Sequence, residues 1–580
     1  MAQALAGGDN YPDANGTGTH KNENAYAAAR KAGWVNPQAY DYSAANAQAT
    51  AAGEDMTGGE NGPTWAHSAK RYEWNDVHGD IGPKVPELEE QLFRSELITR
   101  QGIKFEEISS IKVIAESAEK ISPIVDFKSA GLHPVMVENI GRCNYFIPTP
   151  IQAYTIPAVV SGHDLIATAQ TGSGKTAAYL IPTLSKLMGK AKKLAAPRPN
   201  VVNGFDLRTD GVRAEPLVLV IAPTRELCCQ IFDECRRLCY RSMFRPCVAY
   251  GGGPMREQME ELAKGCDILV GTPGRLIDFM GRPNVLSMNR CRFYIIDEAD
   301  ELLHEDWEED MGKLISGGDA NEDADRQYLL FSATFDKNMR MLAKKYLSND
   351  HVRIRVGRAG STHMNIKQNV MWVESNLKQQ ALYDLLISMP PSRTLIFVKS
   401  KKTADFVDDF LFNMGLPSTS IHSDRTQRER EDALRAFKTG QAPILVATGV
   451  SARGLDIRNV MHVINFDLPE IEHNGQDEYI HRIGRTARIG NEGLATSFYN
   501  DRDEPMADFL VKILIECDQP VPEFLERFKP TEDQLNFDDD SGAEEDEATA
   551  GENTGAWVTS ESGGEGWAGV PSATIPAEEA

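Results

Sequence analysis

The stretch Asp164-Leu-Ile-Ala-Thr-Ala-Gln-Thr-Gly-Ser-Gly-Lys-Thr176 predicts the fold of the region around it. Its first residues, 164–168, form an apolar run of the length expected for a buried strand. The next eight residues are rich in glycine and open an apolar segment that we expect to be a helix. Glycines let backbone N–H groups face phosphate oxygens at a helix N-terminus. The order strand, loop, helix therefore predicts a phosphate-binding P-loop.

The residues of this loop have separate predicted roles. Lys175 is expected to reach the β- and γ-phosphates and Thr176 to contact a magnesium ion. The spacing GxxxxGKT also occurs by chance in long chains, so the strand before it and the helix after it carry the prediction. The remaining predicted nucleotide contacts of the loop are Ala169, Thr171, Gly172, Ser173 and Gly174.

Similar apolar runs recur along the chain, separated by segments with a helical pattern. Continuous apolar strands that alternate with helices are typical of parallel sheets covered on both faces. The runs fall into two blocks, residues 121–355 and 367–530, joined by a linker at 356–366 that contains Gly357-Arg-Ala-Gly-Ser361. The sequence thus predicts an α/β fold with two tandem domains. The predicted strands include Leu217–Ala222, Phe293–Ile296, Tyr328–Ser332, Thr394–Val398, Pro443–Ala447, His462–Phe466 and Ala495–Tyr499.

The composition is that of a soluble globular protein with unstructured ends. Of the 580 residues, 41% are hydrophobic and 25% charged, and no apolar run or leader pattern indicates a membrane span or a secretory signal. We expect an intracellular protein without membrane contact. Residues 1 to about 85 lack a hydrophobic period and are predicted to be disordered, within an N-terminal region of 1–120. For Tyr26–Trp34 a solvated coil is favoured over a transient helix or a partner-binding motif.

The net charge of −24 at first argues against a nucleic-acid partner, because phosphate binding draws on Lys and Arg. However, residues 531–580 contain 14 Asp and Glu and no Lys or Arg. This acidic tail, predicted to be disordered, holds more than half of the net charge. Its Trp557 and Trp567 are candidate docking points for protein partners. The charge therefore does not exclude nucleic acid as a ligand of the two domains.

The nine cysteines do not predict a zinc site or a disulfide framework. The tightest group is Cys228, Cys229, Cys235 and Cys239, which lacks paired CxxC spacing and a nearby set of histidines. We interpret residues 228–239 as one helix with small apolar faces.

A pair of acids follows the predicted strand Phe293–Ile296, in the sequence Asp297-Glu298-Ala299-Asp300. Ligands of parallel sheets bind at the carboxyl ends of the strands. Asp297 suits magnesium and Glu298 suits the orientation of an attacking water. Taken alone the tetrad is also compatible with a solvated helix start, where Asp and Glu are favoured.

The order of these elements between residues 120 and 525 resembles that of the DEAD-box RNA helicases. The resemblance implies two RecA-like domains flanked by disordered tails, and ATP as the nucleotide. Phe127 and Tyr145-Phe-Ile-Pro-Thr-Pro-Ile-Gln152 resemble the family's Q motif, in which Gln152 would bind the adenine edge and Tyr145 would stack on the base. Ser332-Ala-Thr334 is similar to the element that couples the two sites through hydrogen bonds to the DEAD segment.

The resemblance also implies RNA contacts on the first domain. They lie in the segments Pro223-Thr-Arg-Glu-Leu227, Gly252-Gly253 and Thr272-Pro-Gly-Arg275. Small hydroxyls, backbone N–H groups and arginines suit phosphate oxygens, and such contacts carry no base information. Each segment alone is compatible with an ordinary turn or helix cap. The residues carried over are Pro223, Thr224, Arg225, Gly252, Thr272 and Arg275.

In the second domain the resemblance implies further contacts to both ligands. Gln427 and Arg430 match the QxxR region, and Thr448 would touch an RNA phosphate. Gly454 and Asp456 match the segment that holds the ATP ribose. Arg485 and Arg488, in His481-Arg-Ile-Gly-Arg-Thr-Ala-Arg488, resemble arginine fingers, although a basic helix with surface ion pairs would also carry such residues. The sequence departs from the family pattern at Ser423, Gly449 and Ala487.

These residues predict an RNA-stimulated ATPase that opens short duplexes without processive movement, with Mg²⁺ as cofactor. The long segment between the P-loop and Pro223, with Lys190-Ala-Lys-Lys193 and Arg208 through Arg213, resembles the insertion of the Vasa-like branch, which implies a role in translation initiation or messenger RNA metabolism. We expect a cytoplasmic monomer, with nuclear shuttling left open, and protein partners bound by the tails. The alternative is an ATP-gated RNA clamp that scaffolds a complex with little unwinding. A DNA helicase has no support in the motifs.

Overall fold

A computed structural model of the protein describes most of the two domains and parts of the N-terminal region. The described residues are 22–35, 73–75, 79–94, 113–170, 172–194, 196, 199, 209–303, 307–316, 319, 325–335, 337–357, 365–449, 460–471, 475–486 and 493–529. Within these ranges, none of the helices has the length and apolar character needed to cross a lipid bilayer.

The first lobe is built on a sheet in the order β3-β10-β4-β9-β8-β5-β7-β6, preceded by the antiparallel ribbon β1-β2. All described neighbours in the sheet are parallel except the edge pair β3 and β10. The strands are β1 (Glu73–Asn75), β2 (Gly79–Ile81), β3 (Val113–Glu116), β4 (Leu165–Thr168), β5 (Val218–Ile221), β6 (Pro246–Ala249), β7 (Ile268–Gly271), β8 (Phe293–Ile296), β9 (Gln327–Ser332) and β10 (Val352–Val356).

Helices cover both faces of this sheet, and each face has its own apolar core. Counting helices in chain order, α1 is Glu23–Lys31, which packs on the other lobe. Those of the first lobe are α2 (Pro86–Phe93), α3 (Pro134–Arg142), α4 (Pro150–Ser161), α5 (Lys175–Met188), α6 (Ala191–Leu194), α7 (Arg225–Leu238), α8 (Met255–Ala263), α9 (Pro273–Met280), α10 (Ala299–Leu302), α11 (Trp307–Ser316) and α12 (Lys337–Tyr346).

The second lobe has a parallel sheet in the order β11-β16-β15-β12-β14-β13. Its strands are β11 (Ile366–Trp372), β12 (Thr394–Val398), β13 (Ser418–Ile421), β14 (Ile444–Thr448), β15 (His462–Asn465) and β16 (Gly493–Tyr499). Its helices are α13 (Lys378–Ser388), α14 (Lys401–Asn413), α15 (Gln427–Thr439), α16 (Gly475–Ile483) and α17 (Ala507–Glu516), with 3₁₀ turns at Asp501–Met506 and Glu523–Phe528.

The structure confirms the predicted α/β fold with two parallel-sheet RecA-like lobes. Every predicted strand corresponds to an observed one within a few residues. Cysteines 228–239 lie on α7 and its C-terminal cap, with Cys228 and Cys235 fully buried, as the apolar-helix interpretation predicted.

Parts of the N-terminal region 1–120 that the structure describes pack on the two lobes. Strand β3 is an edge strand of the first sheet, paired with β10. Helix α2 buries Leu88 and Leu92 against Tyr240. The segment Tyr26–Trp34, for which a solvated coil was favoured, instead lies in helix α1 and the turn after it, where Trp34 is 4% exposed. The buried face of α1 consists of alanines, which give little apolar periodicity in the sequence. The larger apolar side chains of this contact lie on the second lobe.

Candidate active site and the cleft between the lobes

The P-loop lies between β4 and α5, as predicted. Gly174 caps α5 with φ of +90°, and a Cβ at this position would lie 2.6 Å from Nε2 of Gln152. Only glycine meets both demands without strain. Gly172 also has positive φ, +78°. The loop backbone is thereby curved with its N–H groups at the start of a helix, which is the geometry that binds phosphate.

Lys175, the first residue of α5, is buried and donates to the carbonyl of Ala169 at 2.9 Å. The ammonium group is held inside the curve of the loop, where a phosphate would compete with this carbonyl for it. Thr176 follows directly on the helix, and Ser173 Oγ is buried without a hydrogen-bond partner among the described residues. Thr171 lies outside the described residues.

The two residues predicted to bind adenine flank the P-loop helix. Gln152, in the first turn of α4, accepts from the N–H of Thr149 at 3.0 Å and donates to the carbonyl of Gly174 at 3.2 Å. The side-chain amide is therefore oriented by both its own helix cap and the P-loop. The hydroxyl of Tyr145 donates to Glu234 at 2.7 Å, which fixes the position of the ring at the surface of the core. The contacts of both residues with a base remain predictions.

The acids lie at the carboxyl end of β8, beside β9. Asp297 is buried and accepts from the hydroxyl of Tyr179 at 2.8 Å and from the N–H of Glu298 at 3.0 Å. Burial raises the pKa of Asp297, and the nearby charge of Lys175 opposes this shift. The parallel sheet thus brings the carboxylate within electrostatic range of the P-loop lysine, although the two are far apart in sequence.

Glu298 has the left-handed backbone conformation, with φ of +50°. A non-glycine residue in this region is strained, and such strain is found mostly at functional sites. Burial raises the pKa of Glu298, while the charge of Arg485 opposes the shift. Its Oε2 is buried and lacks a hydrogen-bond partner among the described residues. The site therefore holds one acceptor oxygen available to a water or a substrate.

The third acid of the tetrad links the site to Ser332-Ala-Thr334. Oδ2 of Asp300 accepts from the N–H groups of Ala333 and Thr334, both at 3.1 Å, and from the hydroxyl of Thr334 at 3.2 Å. The predicted hydrogen bonds between these two segments are thus present. Although burial opposes it, hydrogen bonding to His481 and the charge of His481 hold the pKa of Asp300 well below its usual range.

Two residues of the second lobe reach these acids across the cleft. Arg485 is buried, with its guanidinium 3.9 Å from Glu298 and its Nε donating to the carbonyl of His481 at 3.1 Å. The imidazole of His481 lies 2.9 Å from Glu301 and 3.6 Å from Asp300. Although burial opposes it, hydrogen bonds to both acids raise the pKa of His481 to about 10. The histidine is therefore a cation at neutral pH, held between two carboxylates of the other lobe.

The predicted RNA contacts of the first lobe form one connected surface. The hydroxyl of Thr272 accepts from the N–H of Gly251 at 3.2 Å, and Arg275 donates to the carbonyl of Gly253 at 3.4 Å. The guanidinium of Arg225 lies over the ring of Tyr250, 4.1 Å from its centroid. Gly252 is exposed in this turn with φ of +76°, while Pro223 and Thr224 lie at the start of α7, where Thr224 caps the helix.

Two of the three predicted RNA-binding arginines, Arg225 and Arg430, are each paired with a carboxylate of the opposite lobe. Arg225 donates to Glu431, and Arg430 donates to Glu226 at 2.6 Å. The contact is reciprocal: the consecutive residues Arg225 and Glu226 of one lobe pair with the consecutive residues Glu431 and Arg430 of the other. These pairs join the two lobes beside the predicted RNA contacts.

Strand β14 ends at Thr448, beside the start of α16. A Cβ on Gly449 would collide with the carboxylate of Glu478. Glu478 in turn accepts from Nε of Arg482 at 3.0 Å. The departure from the family pattern at Gly449 therefore leaves room for a carboxylate from α16.

Some predicted site residues lie outside the described part of the chain, namely Gly454, Asp456 and Arg488, and the side chain of Gln427 is likewise not described. Other residues of the site were missed by sequence analysis. Tyr179 lies one turn after Lys175 on the same helix face, which was a usable signal. The roles of Glu226, Glu431 and His481 depend on which lobe surface faces them, and the sequence offers no sign of that.

Fold and site together define a protein of two RecA-like lobes with a P-loop in the first, whose acids are contacted by residues of the second. Two family comparisons agree with this. The DEAD/DEAH box helicase family matches residues 149–342 and the helicase conserved C-terminal domain matches residues 377–490. The chain belongs to the DEAD-box helicase family, and it is an RNA helicase with RNA-dependent ATPase activity.

Solved structures of similar proteins include S. cerevisiae Dbp5 bound to RNA and ADP BeF3, which is 26% identical with a TM-score of 0.56 and is matched over 69% of this chain and 95% of that chain. Mss116p bound to ssRNA and AMP-PNP is 27% identical with a TM-score of 0.56, over 69% of this chain and 80% of that chain. A variant of S. cerevisiae Dbp5 bound to gle1 and ip6 is 27% identical with a TM-score of 0.52, over 68% and 93%.

Proposed function

We propose that this helicase opens short RNA duplexes locally and without processive movement, and that ATP and RNA stabilise the same closed arrangement of the lobes. The observation that carries the proposal is the pair of contact sets across the cleft. Arg485 and His481 meet the acids at the nucleotide edge, and Arg225 and Arg430 meet carboxylates at the RNA edge. Two ligands that favour one closed state must bind cooperatively.

At the nucleotide edge, Lys175 is placed to exchange its carbonyl partner for phosphate oxygens. Glu298 would orient the attacking water through the buried Oε2, and Arg485 would meet the charge that develops on the transferred phosphate. Arg488 is proposed as a second arginine finger, and Gly454 and Asp456 as ribose contacts. Tyr145 and Gln152 are proposed to select adenine.

The residues of this site fit Mg²⁺, which prefers carboxylate and hydroxyl oxygens. Asp297 and Thr176 would hold the ion, largely through water, and Tyr179 keeps the carboxylate oriented. When bound with ATP, the ion would neutralise part of the phosphate charge. The burial of Asp297 supports this assignment. Burial raises its pKa and so favours the neutral carboxylic acid, whereas a divalent cation would stabilise the charged carboxylate.

At the RNA edge, the contacts go to the backbone and carry no base information. We propose Thr224, Arg225, Gly252, Thr272 and Arg275 in one lobe, with Pro223 shaping the turn before them. Gln427, Arg430 and Thr448 are proposed in the other. Binding across both lobes would bend one strand and open a short duplex locally, and hydrolysis would release it. A role in translation initiation or messenger RNA remodelling in the cytoplasm is proposed from the resemblance to the Vasa-like branch, with protein partners recruited by the tails.

The test compares RNA-stimulated ATP hydrolysis and strand separation on a short and a long duplex. We expect Glu298→Gln to lower RNA-stimulated hydrolysis by about 10²-fold or more, since a group that orients the nucleophile contributes at this scale. Glu308→Gln, an exposed glutamate of the same lobe, is the matched control. Wild-type turnover in Glu298→Gln would contradict the assignment.

Strand separation distinguishes the proposal from the alternative of a scaffolding clamp. The proposal predicts that the short duplex separates and the long one does not. Stimulated hydrolysis without separation of either duplex would favour the clamp. Stimulation by DNA of the same sequence would contradict RNA selectivity, because the 2′-OH is the discriminating group.

A further inference from the structure

The N-terminal segment Asn22–Val35 has its own helix caps. The side chain of Asn22 accepts from the N–H of Ala25 at 3.2 Å at the start of α1. At the other end Gly33 has φ of +96°, and the N–H of Trp34 donates to the carbonyl of Ala29 at 3.0 Å. This is the Schellman arrangement, in which glycine reverses the chain and the next residue folds back on the helix. The segment thus presents one helix face and one indole side by side.

This segment lies on the face of the second lobe formed by α13 and α14. Ala25, Ala29 and Trp34 are buried against Leu386 and Leu411 of those helices. Three hydrogen bonds fix the register of the contact. Trp34 Nε1 donates to the carbonyl of Leu386 at 3.3 Å, Tyr26 donates to the carbonyl of Phe412 at 3.0 Å, and Tyr383 donates to the carbonyl of Ala25 at 3.3 Å.

The face itself is shaped for a small-residue helix. A Cβ on Gly415 would lie 3.0 Å from Tyr26, so the tyrosine rests directly on the glycine backbone. The small side chains of Ala25 and Ala29 allow α1 to approach closely. This resembles the way an amphipathic helix lies in a groove with anchors spaced by one turn.

Several features make this contact a docked ligand rather than a fixed part of the lobe. Helix α1 has nine residues, and isolated helices of that length are marginal in water. The helices beneath it have their own contacts with the sheet, because Leu382 and Leu411 belong to the core that includes Ile396 and Val398. Along the chain, residues 36–72 separate the segment from β1 of the other lobe.

We propose that the face formed by α13 and α14 is an exchangeable peptide-docking site whose resident ligand is residues 22–35 of the same chain. Because this ligand belongs to the same chain, its effective concentration at the site is high, so it occupies the site unless a stronger binder replaces it. A replacing partner would present the same chemistry, a short helix with alanines at i and i+4 followed by glycine and tryptophan. Such a partner would bind α13 and α14, and not the cleft residues that are proposed to contact ATP and RNA.

The docking face is connected to the nucleotide edge by its own first helix. Lys378, at the start of α13, is buried and donates to Asp467 at 2.9 Å. The carbonyl of Asp467 accepts from Arg482 at 2.7 Å, three residues before Arg485. An occupant of the face therefore touches a helix that also holds the arginine-bearing segment in place.

The test uses the full chain with one substitution that releases the resident segment. Ala29→Arg places a long charged side chain where Ala29 is 1% exposed, without loss of helix propensity. Ala27→Arg, on the exposed face of the same helix, is the matched control with the same charge. A fluorescent peptide of residues 22–35 is titrated into each protein and followed by anisotropy.

We expect the peptide to bind the Ala29→Arg protein at least about tenfold more tightly than wild type or the Ala27→Arg control, because only the first has a vacant site. Trp34→Ala in the full chain should open the site in the same way, and a peptide carrying Ala29→Arg should not bind. Equal binding to all proteins would overturn the proposal. So would failure of the peptide to bind either the Ala29→Arg or the Trp34→Ala protein while both retain the thermal midpoint of the control.

Discussion

The two edges of the cleft hold the lobes together by different means. At the nucleotide edge the interacting side chains are nearly dry: Arg485 is 5% exposed, His481 10% and Glu301 6%. At the RNA edge one member of each pair is more exposed: Glu431 is 48% and Arg430 21% exposed, whereas their partners Arg225 and Glu226 are 13% and 9% exposed. Charges in water-excluded sites interact strongly and are weakly screened, whereas exposed pairs contribute little and respond to salt.

This difference indicates different tasks for the two edges. At the nucleotide edge we expect a ligand to join a network that already exists, because Oε2 of Glu298 has no hydrogen-bond partner among the described residues. We expect the RNA edge to exchange partners, because Arg225 and Arg430 already contact carboxylates that an RNA phosphate would replace. We therefore expect substitutions at the first edge to change the rate of hydrolysis, and substitutions at the second to change RNA affinity and its salt dependence.

The largest effect is expected at Arg485. Arg485→Ala removes the guanidinium next to Glu298, and RNA-stimulated hydrolysis should fall by about 10³-fold, as for arginine fingers in other phosphoryl-transfer enzymes. Steady-state ATPase assays at saturating RNA measure this. Arg435→Ala, at a 59% exposed arginine of the same lobe, should leave the rate unchanged. A loss below about fivefold in Arg485→Ala, with normal folding, would remove Arg485 from the catalytic machinery.

The next effect concerns His481. Its cation lies between two carboxylates, and removing one partner of a buried charge network costs about 3 kcal/mol, or roughly 100-fold in the closed population. We expect His481→Gln to lower that population, measured by energy transfer between dyes on the two lobes with AMP-PNP and RNA bound. The matched control is His351→Gln, at a half-buried histidine that contacts Ser348 in the first lobe.

The same histidine predicts a pH dependence. Its pKa is raised to about 10 in the closed state, so its contribution to closure is complete below the ordinary histidine pKa of about 6.5. The contribution should then decline as pH rises from that value toward 10. Closure measured across this window should weaken in the wild type and stay flat in His481→Gln. A flat profile in both proteins would show that His481 does not carry this charge.

A smaller effect is expected at Gly449. Gly449→Asp would place a second carboxylate against Glu478, which displaces the partner of Arg482. We expect RNA-stimulated hydrolysis to fall by about tenfold, on the scale of a like-charge contact in a partly buried site. The double variant Gly449→Asp, Glu478→Ala should recover most of the rate, because the new carboxylate can then pair with Arg482. If the double variant is no better than the single one, the crowding at Gly449 is not the cause.

The smallest effect is expected at the RNA edge. Glu431→Gln frees Arg225 from its carboxylate and removes a negative charge near the strand, so RNA affinity should rise about threefold at low salt. Glu257→Gln, an exposed glutamate of α8, is the control for net charge. Titrations at two salt concentrations should show a larger gain at the lower one. Weaker RNA binding in Glu431→Gln would mean that the pair holds the lobes closed more than it competes with RNA.

Much of the fold and of the nucleotide site could be predicted because it depends on local order. A strand, a glycine loop and a lysine form one continuous unit, and the hydrogen bonds from Ala333 and Thr334 to Asp300 join two strand ends of one sheet. The contacts across the cleft could not be predicted this way. Glu226 and Glu431 look like the solvated side of a helix until the other lobe faces them. Helix α1 was missed for a related reason: its buried residues Ala25 and Ala29 are small, and their apolar role is visible only once the complementary surface of the second lobe is known.

If ATP and RNA stabilise one closed state, their binding is coupled, and a thermodynamic cycle measures that coupling directly. RNA affinity is determined with and without AMP-PNP, and AMP-PNP affinity with and without RNA, in the wild type and in His481→Gln. We predict that each ligand tightens the other by the same factor, at least about tenfold, and that this factor falls sharply in His481→Gln. Independent binding of AMP-PNP and RNA in the wild type would contradict the claim that both ligands stabilise one closed state.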